Sequence, residues 1–185
     1  MNSSIKINDK EFVPYICEEQ IQEAIDRIAQ QIRECYGNRQ GKEPLILVIT
    51  LKGAMLFAAE LSKRLNFPLV WDFVKCSSYG SDMCSCGTIK FQLQESNKIE
   101  GRDVLVIEDI VDSGNTWEFL YNYFNQKNAA SVRIATMAIK RELYQKDIPV
   151  DFVALELQNR FVVGYGLDYD EIGRNINGIY VLSAD

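Results

Sequence analysis

Isoleucines at positions 21, 25, 28 and 32 recur at spacings of four, three and four. That period predicts an amphipathic helix over about 18–36, ending near Gly37, with Glu18 and Glu19 suited to its first turn. Gly41 to Pro44 reads as a loop. Leu45 to Leu51 is an unbroken apolar run, as a strand buried on both faces requires. A helical pattern through Leu56, Ala59 and Leu61 covers 53–65, and Asn66-Phe67-Pro68 stops it. Strands are predicted at 69–76 and through the alternating Ile89, Phe91 and Leu93, separated by the polar stretch 77–87. Val104 to Asp109 is the next buried strand, 115–127 a helix, Val132 to Ala138 a strand ending at Lys140, and Phe152 to Leu155 a last one.

Strand–helix–strand alternation of this kind predicts an α/β fold with a doubly wound, mainly parallel sheet flanked by helices. Ligands of such sheets sit beyond the carboxyl ends of the strands. Lys52, Asp109 and Lys140 each fall at or just past such an end. No internal repeat or low-complexity linker interrupts the chain. The expectation is one domain over 1–185, with a core of about 20–155 and a small hood from the chain ends, about 1–19 and 156–185.

Composition narrows the chemistry. With 185 residues, 47% hydrophobic and 25% charged, the chain is ordinary for one globular domain. Its net charge of −6 disfavours a general nucleic-acid or anionic-membrane binder. The polar start carries no signal-peptide core, and no apolar run reaches a membrane span. Five cysteines without a CxxC pair point to a reducing cytoplasm rather than a disulfide framework. The absence of histidine excludes Ser-His and Cys-His catalysis and His-ligated metals. Proton transfer must use Asp, Glu, Lys, Tyr or Cys.

The richest segment is Val104-Leu105-Val106-Ile107-Glu108-Asp109-Ile110-Val111-Asp112-Ser113-Gly114-Asn115-Thr116. A buried strand runs into paired carboxylates and then into a small, hydroxyl-bearing turn that opens a helix. Such an opening offers unpaired N–H groups and a partial positive charge to a phosphate. The acids suit ribose hydroxyls and a magnesium shell. Taken alone, Asp112 or Ser113 serves equally as an ordinary helix cap. No Walker loop is present.

This segment resembles the thirteen-residue phosphoribosyl pyrophosphate motif of the type I phosphoribosyltransferases, and the chain is similar to their hypoxanthine-guanine branch. Matching stretches follow in family order over about 45–182: Leu51-Lys52-Gly53-Ala54, Ser77-Ser78-Tyr79-Gly80, the motif, Lys140-Arg141, and Phe161 to Tyr169, with Arg174 after them. The resemblance implies purine salvage. A 5-phosphoribosyl group passes from phosphoribosyl pyrophosphate to hypoxanthine, and also to guanine, giving the nucleoside monophosphate and pyrophosphate with Mg2+.

The resemblance also implies the roles. Glu108 and Asp109 hold the ribose hydroxyls and, with Asp168, the magnesium. Ser113, Gly114, Asn115 and Thr116 bind the 5′-phosphate, and Asp112 shares a proton with the purine. Lys52, at a cis peptide after Leu51, joins Gly53 and Arg174 on the pyrophosphate. Lys140 reads the 6-oxo group, Phe161 stacks on the base, and the Val162 carbonyl and Asp168 complete the base side. Ser78 and Tyr79 belong to a lid over 77–87, where Cys84 and Cys86 form an unusual tip open to redox control. A homodimer or homotetramer is implied as well.

Two further departures stand out. Gln158-Asn159-Arg160 precede Phe161 where the family favours an acidic residue, and Ile172-Gly173 precede Arg174 in place of an aromatic. The first leaves the choice among hypoxanthine, guanine and xanthine open. A xanthine-preferring enzyme is therefore the neighbouring alternative, and a non-catalytic regulator of the same fold is the alternative from another class.

Overall fold

The computed structural model describes residues 3–37, 39, 41–78, 89–94 and 97–183. In chain order the elements are β1 (Ile5–Ile7), β2 (Lys10–Ile16), α1 (Glu18–Tyr36), β3 (Leu45–Leu51), α2 (Met55–Arg64), β4 (Leu69–Ser78), β5 (Ile89–Gln94), β6 (Asp103–Val111), α3 (Asn115–Gln126), β7 (Ser131–Ile139), β8 (Phe152–Glu156), β9 (Val162–Val163) and β10 (Ile179–Leu182). Six strands form the main sheet in the order β5-β4-β3-β6-β7-β8, parallel except for β5 at one edge. A smaller antiparallel sheet, β1-β2-β10-β9, joins the two ends of the chain.

The unbroken apolar runs follow from helices covering both faces of the sheet. Leu45, Leu47 and Ile49 of β3 pack with α1 and α2, as do Leu105 and Ile107 of β6. Their neighbours Ile46, Val48, Val104 and Val106 point the other way, against Trp117, Leu120 and Phe124 of α3. Side chains alternate along a strand, so a strand with two buried faces has no polar position to spare. Helix α1 starts with the Cys17 N–H donating to Gln20 Oε1 at 3.0 Å and ends at Gly37, as expected, with a positive φ of 58° that glycine adopts at little cost.

The elements of the main sheet match the sequence pattern, whereas the four strands of the smaller sheet were not predicted and β4 runs on through Ser77 and Ser78, which were assigned to the lid. Strand β6 continues past the expected end at Asp109 through Ile110 and Val111, which pair with Ala138 and Ile139 of β7. Both residues are apolar and β-branched, so the ladder extends while the chain stays buried. Glu108 and Asp109 therefore sit within the strand rather than at its tip.

At the amino ends of the central strands, Arg39 is only 4% exposed. Its guanidinium donates to Asp103 Oδ2 at 2.9 Å and twice to the Glu43 carbonyl, at 2.8 and 3.2 Å. Asp103 Oδ1 accepts from the Ser131 hydroxyl at 2.6 Å. Partial burial opposes ionisation of Asp103, but Ser131 and Arg39 outweigh it and hold the carboxyl below its ordinary 3.8. Replacing Arg39 by Met should cost about 2–4 kcal/mol in urea unfolding, because buried acceptors lose a charged donor. A depressed acid stabilises the fold above its unfolded pKa and loses that contribution as pH falls through its folded pKa. The Arg39→Met penalty should therefore shrink below about pH 4, with kcat unaffected at the opposite end of the sheet.

Candidate active site

At the carboxyl end of β3, Thr50 is the one polar residue in a strand of aliphatic side chains. Its Oγ1 lies 2.8 Å from Glu108 Oε1 and 3.0 Å from the Ile107 carbonyl. A hydroxyl carries a single proton. Thr50 therefore donates that proton to Glu108 or to the Ile107 carbonyl, one at a time. Burial, followed by the neighbouring Asp109 charge, pushes the Glu108 carboxyl well above its ordinary range, and the Thr50 hydroxyl opposes that shift. Glu108 Oε2 is buried and has no protein partner among the described residues.

The Leu51–Lys52 peptide is cis, as the resemblance implied. Gly53 follows, and a Cβ there would overlap the Asp109 carboxylate. The loop after β3 thus lies directly against the acid of β6. Asp109 Oδ1 accepts from the Ile110 N–H at 2.9 Å, which leaves Oδ2 directed at Gly53.

Past Val111 the chain turns through Asp112, Ser113 and Gly114 into α3. Gly114 takes the N-cap with φ 82°, and no described side chain caps the helix. Neither Asp112 nor Ser113 therefore serves as the cap that their residue types allow, and the first-turn N–H groups remain available to an anion. A concavity of about 180 Å³ opens here, lined by Glu108 and the run from Ile110 to Trp117.

Lys140 follows β7 on the adjacent strand. Its Nζ stands 3.3 Å from Asp112 Oδ1, with the lysine side chain 11% exposed and the aspartate 48%. Phe161 is 45% exposed and is backed edge-on by Tyr169 at 5.8 Å and by Phe12 at 6.2 Å. Val162 lies buried beside it in β9, paired with Val181.

A second set of charges comes from the hood. Arg174 Nη2 meets Asp168 Oδ1 at 2.8 Å and Glu171 Oε2 at 3.2 Å, while Nη1 donates to the Gly166 carbonyl at 2.9 Å. Lys52 Nζ reaches the same Glu171 oxygen at 2.9 Å. Lys52 and then Arg174 hold the exposed Glu171 carboxyl below its ordinary range. The structure thus links Lys52 and Arg174 through one carboxylate. Asp168 is engaged with Arg174 and accepts the Glu171 N–H at 2.8 Å.

Among the described residues no group of three or more Cys, Asp or Glu side chains is arranged to hold a metal ion by itself. Glu108 and Asp109 are adjacent, and Asp168 belongs to the separate Arg174 network. Ser78 closes β4, whereas Tyr79 and the predicted lid tip with Cys84 and Cys86 lie outside the described residues. Thr50 and Glu171 were missed in the sequence. A lone hydroxyl inside a doubly buried strand was the available signal for Thr50, since it needs a partner. Glu171 was visible only as part of the charge run 168–171, and its partner Lys52 is 119 residues away.

Gly53→Ala should displace Asp109 and lower kcat/KM about 100-fold, because an ångström of misplacement is enough for that loss. The thermal midpoint should fall as well, since Gly53 is buried between β6 and the loop at Gly166. Steady-state kinetics beside a melting curve checks this, and wild-type kinetics in the variant would contradict the close contact.

Residues 18–170 match the phosphoribosyl transferase domain family. The chain is 43% identical over 158 residues to a hypoxanthine-guanine phosphoribosyltransferase of Streptococcus thermophilus, covering 85% of this chain and 86% of that one. It is 41% identical over 167 residues to the Bacillus subtilis protein of the same name, covering 90% and 91%. A ternary substrates complex of a Trypanosoma cruzi hypoxanthine phosphoribosyltransferase variant superposes with a TM-score of 0.84 at 35% identity, covering 92% and 94%. With the motif segment on a parallel strand, an uncapped helix start after it and this degree of likeness along most of its length, the chain belongs to the phosphoribosyltransferase family.

Proposed function

We propose that this chain is a single phosphoribosyltransferase domain that salvages 6-oxopurines. It transfers the 5-phosphoribosyl group of phosphoribosyl pyrophosphate to hypoxanthine, and to guanine, releasing pyrophosphate. The observation that carries the reading is the contact of Lys140 with Asp112 beside the uncapped start of α3. A donor-only ammonium and a carboxylate then face one space next to a phosphate-sized concavity. A 6-oxo group with a nearby ring N–H complements that pair.

The chemistry follows from charge. As the C1′–pyrophosphate bond breaks, the ribose gains oxocarbenium character and the leaving group gains negative charge. Purine N9 forms the new bond to C1′, and the proton at N7 passes toward the Asp112 carboxylate. Glu108 and Asp109 orient the ribose hydroxyls, and Ser113 to Thr116 anchor the 5′-phosphate. Lys52, the Gly53 backbone and Arg174 receive the pyrophosphate, displacing Glu171. Phe161 stacks on the base, and the Val162 carbonyl faces its N1 or 2-amino edge. Rate enhancement comes mostly from position and electrostatics.

Oxygen-only donors in sparse groups suit Mg2+, which keeps several waters and takes one or two carboxylates together with substrate oxygens. Asp109 and Glu108 on the sugar side and Asp168 on the pyrophosphate side would hold it. When bound, it neutralises charge on the departing pyrophosphate oxygens. No described helix is long and apolar enough to cross a membrane. A cytoplasmic enzyme acting on small molecules, with no nucleic-acid or membrane partner, accords with an acidic chain whose five cysteines form no CxxC pair, and the family resemblance suggests a homodimer or homotetramer.

Pyrophosphate release measured separately with hypoxanthine, guanine, xanthine and adenine, with and without magnesium, tests the proposal. Turnover with the 6-oxopurines in magnesium supports it, and no turnover with any base would leave a regulator. Asp112→Asn should lower kcat at least about 100-fold with little change in phosphoribosyl pyrophosphate affinity, the usual scale for removing an acid/base group. Equal losses in both would refute its role. Lys140→Met should narrow the preference for 6-oxo over 6-amino purines, read as the ratio of their kcat/KM values.

A further inference from the structure

The connection between β7 and β8 crosses the start of α3 and is fastened to it at several points. Trp117 Nε1 donates to the Pro149 carbonyl at 3.0 Å. The Tyr144 hydroxyl donates to the Ile148 carbonyl, closing the connection on itself. A Cβ placed on Gly114 would stand 2.8 Å from Tyr144 Cδ2 and 2.9 Å from Lys146 Cγ, so both side chains press on the glycine that turns the chain into α3. Lys146 Nζ then reaches Glu118 Oε2 at 2.7 Å, with the two side chains 22% and 42% exposed.

Glu118 is the fourth residue of α3 and the acid of its first turn. At 1.5 Å of rise per residue it stands about one turn from the helix opening. A carboxylate there favours the helix dipole, but it repels an anion using the same N–H groups. A dianionic phosphate within about one Debye length of it feels that charge. Lys146 is the cation that cancels it. Tyr144 supplies the backing that keeps Gly114 in its left-handed turn.

We propose that Lys146 and Tyr144 are positioning residues for the 5′-phosphate, the lysine by neutralising Glu118 and the tyrosine by bracing Gly114. The inference rests on the assignment of 113–116 to that phosphate. Neither residue touches the reacting atoms. Their effect is on how strongly the loop binds a phosphorylated ribose, not on the rate of bond breaking. The arrangement joins the β7–β8 connection, a strap across the start of α3, to the first turn of that helix by an ion pair, so the two act as one unit.

The test uses the full chain and its variants, with KM for phosphoribosyl pyrophosphate, kcat, and the Kd of IMP by calorimetry. At about 50 mM salt, Lys146→Met should raise KM and the IMP Kd about tenfold with kcat nearly unchanged, an unmasked charge near a dianion being worth that much. The ratio to wild type should fall toward one at about 0.5 M salt, where the Debye length is much shorter. Glu118→Gln combined with Lys146→Met should restore binding, because the repelling charge is then gone. An unchanged KM in Lys146→Met, or a loss that Glu118→Gln does not rescue, overturns the charge role. Tyr144→Ala should weaken IMP binding at all salt concentrations, and unaltered affinity would overturn the brace. Thr116→Ala separates the two levels. If it leaves IMP binding unaltered, the phosphate assignment itself fails. If it weakens binding while Lys146→Met and Tyr144→Ala do not, the strap inference alone fails.

Discussion

Gly53 is where three parts of the molecule meet without room for a side chain. Its Cα faces the Asp109 carboxylate of β6, and its carbonyl lies against Gly166 of the hood. The loop that begins with the cis Leu51–Lys52 peptide is thereby held between the acids of β6 and the segment carrying Asp168 and Arg174. Adjacent parallel strands deliver β3 and β6 to the same edge, since their residues pair in register from Ile46 with Val104 to Ile49 with Ile107. Close packing of backbones then converts that register into a fixed spacing between the Lys52 loop and the acids of β6. The positions of Thr50, Glu108 and Lys52 all follow from it.

Charge at the site is organised in pairs before any substrate enters. Lys140 faces Asp112, Lys52 and Arg174 share Glu171, and Lys146 faces Glu118. Each pair joins segments that are distant in sequence, except Arg174 with Glu171. The exposed pair of Lys52 with Glu171 is worth little to stability. The consequence of the pairing is geometric, because it holds long side chains in place at the site. Glu108 is the exception. It is buried and bonded to Thr50, and its burial costs less when the group is neutral.

Much of this was legible along the chain. The run Leu45 to Leu51 carries its two-faced burial in its composition, and the isoleucines of α1 state their period outright. The thirteen residues from Val104 to Thr116 display the acids, turn and helix start in order, and the family resemblance implied roles for them. The end of β6 was misjudged by two residues, because acidic residues read as a boundary while the ladder with β7 continued. The lid at Tyr79 and its cysteines fall outside the described residues.

The sequence by itself determined the strand and helix order of the main sheet, the exclusion of histidine chemistry, and the residue types able to bind a phosphorylated ribose. Those properties depend on local period and on side-chain chemistry, both of which are written in consecutive residues. Only the tertiary structure decided that Gly114 rather than Asp112 or Ser113 caps α3, that Thr50 answers Glu108, and that Glu171 bridges Lys52 and Arg174. It also decided that Tyr144 and Lys146 lie against Gly114 at the start of α3. These are contacts between chain segments far apart in sequence, and their distances are set by sheet register and by backbone packing at glycines, which no local pattern encodes.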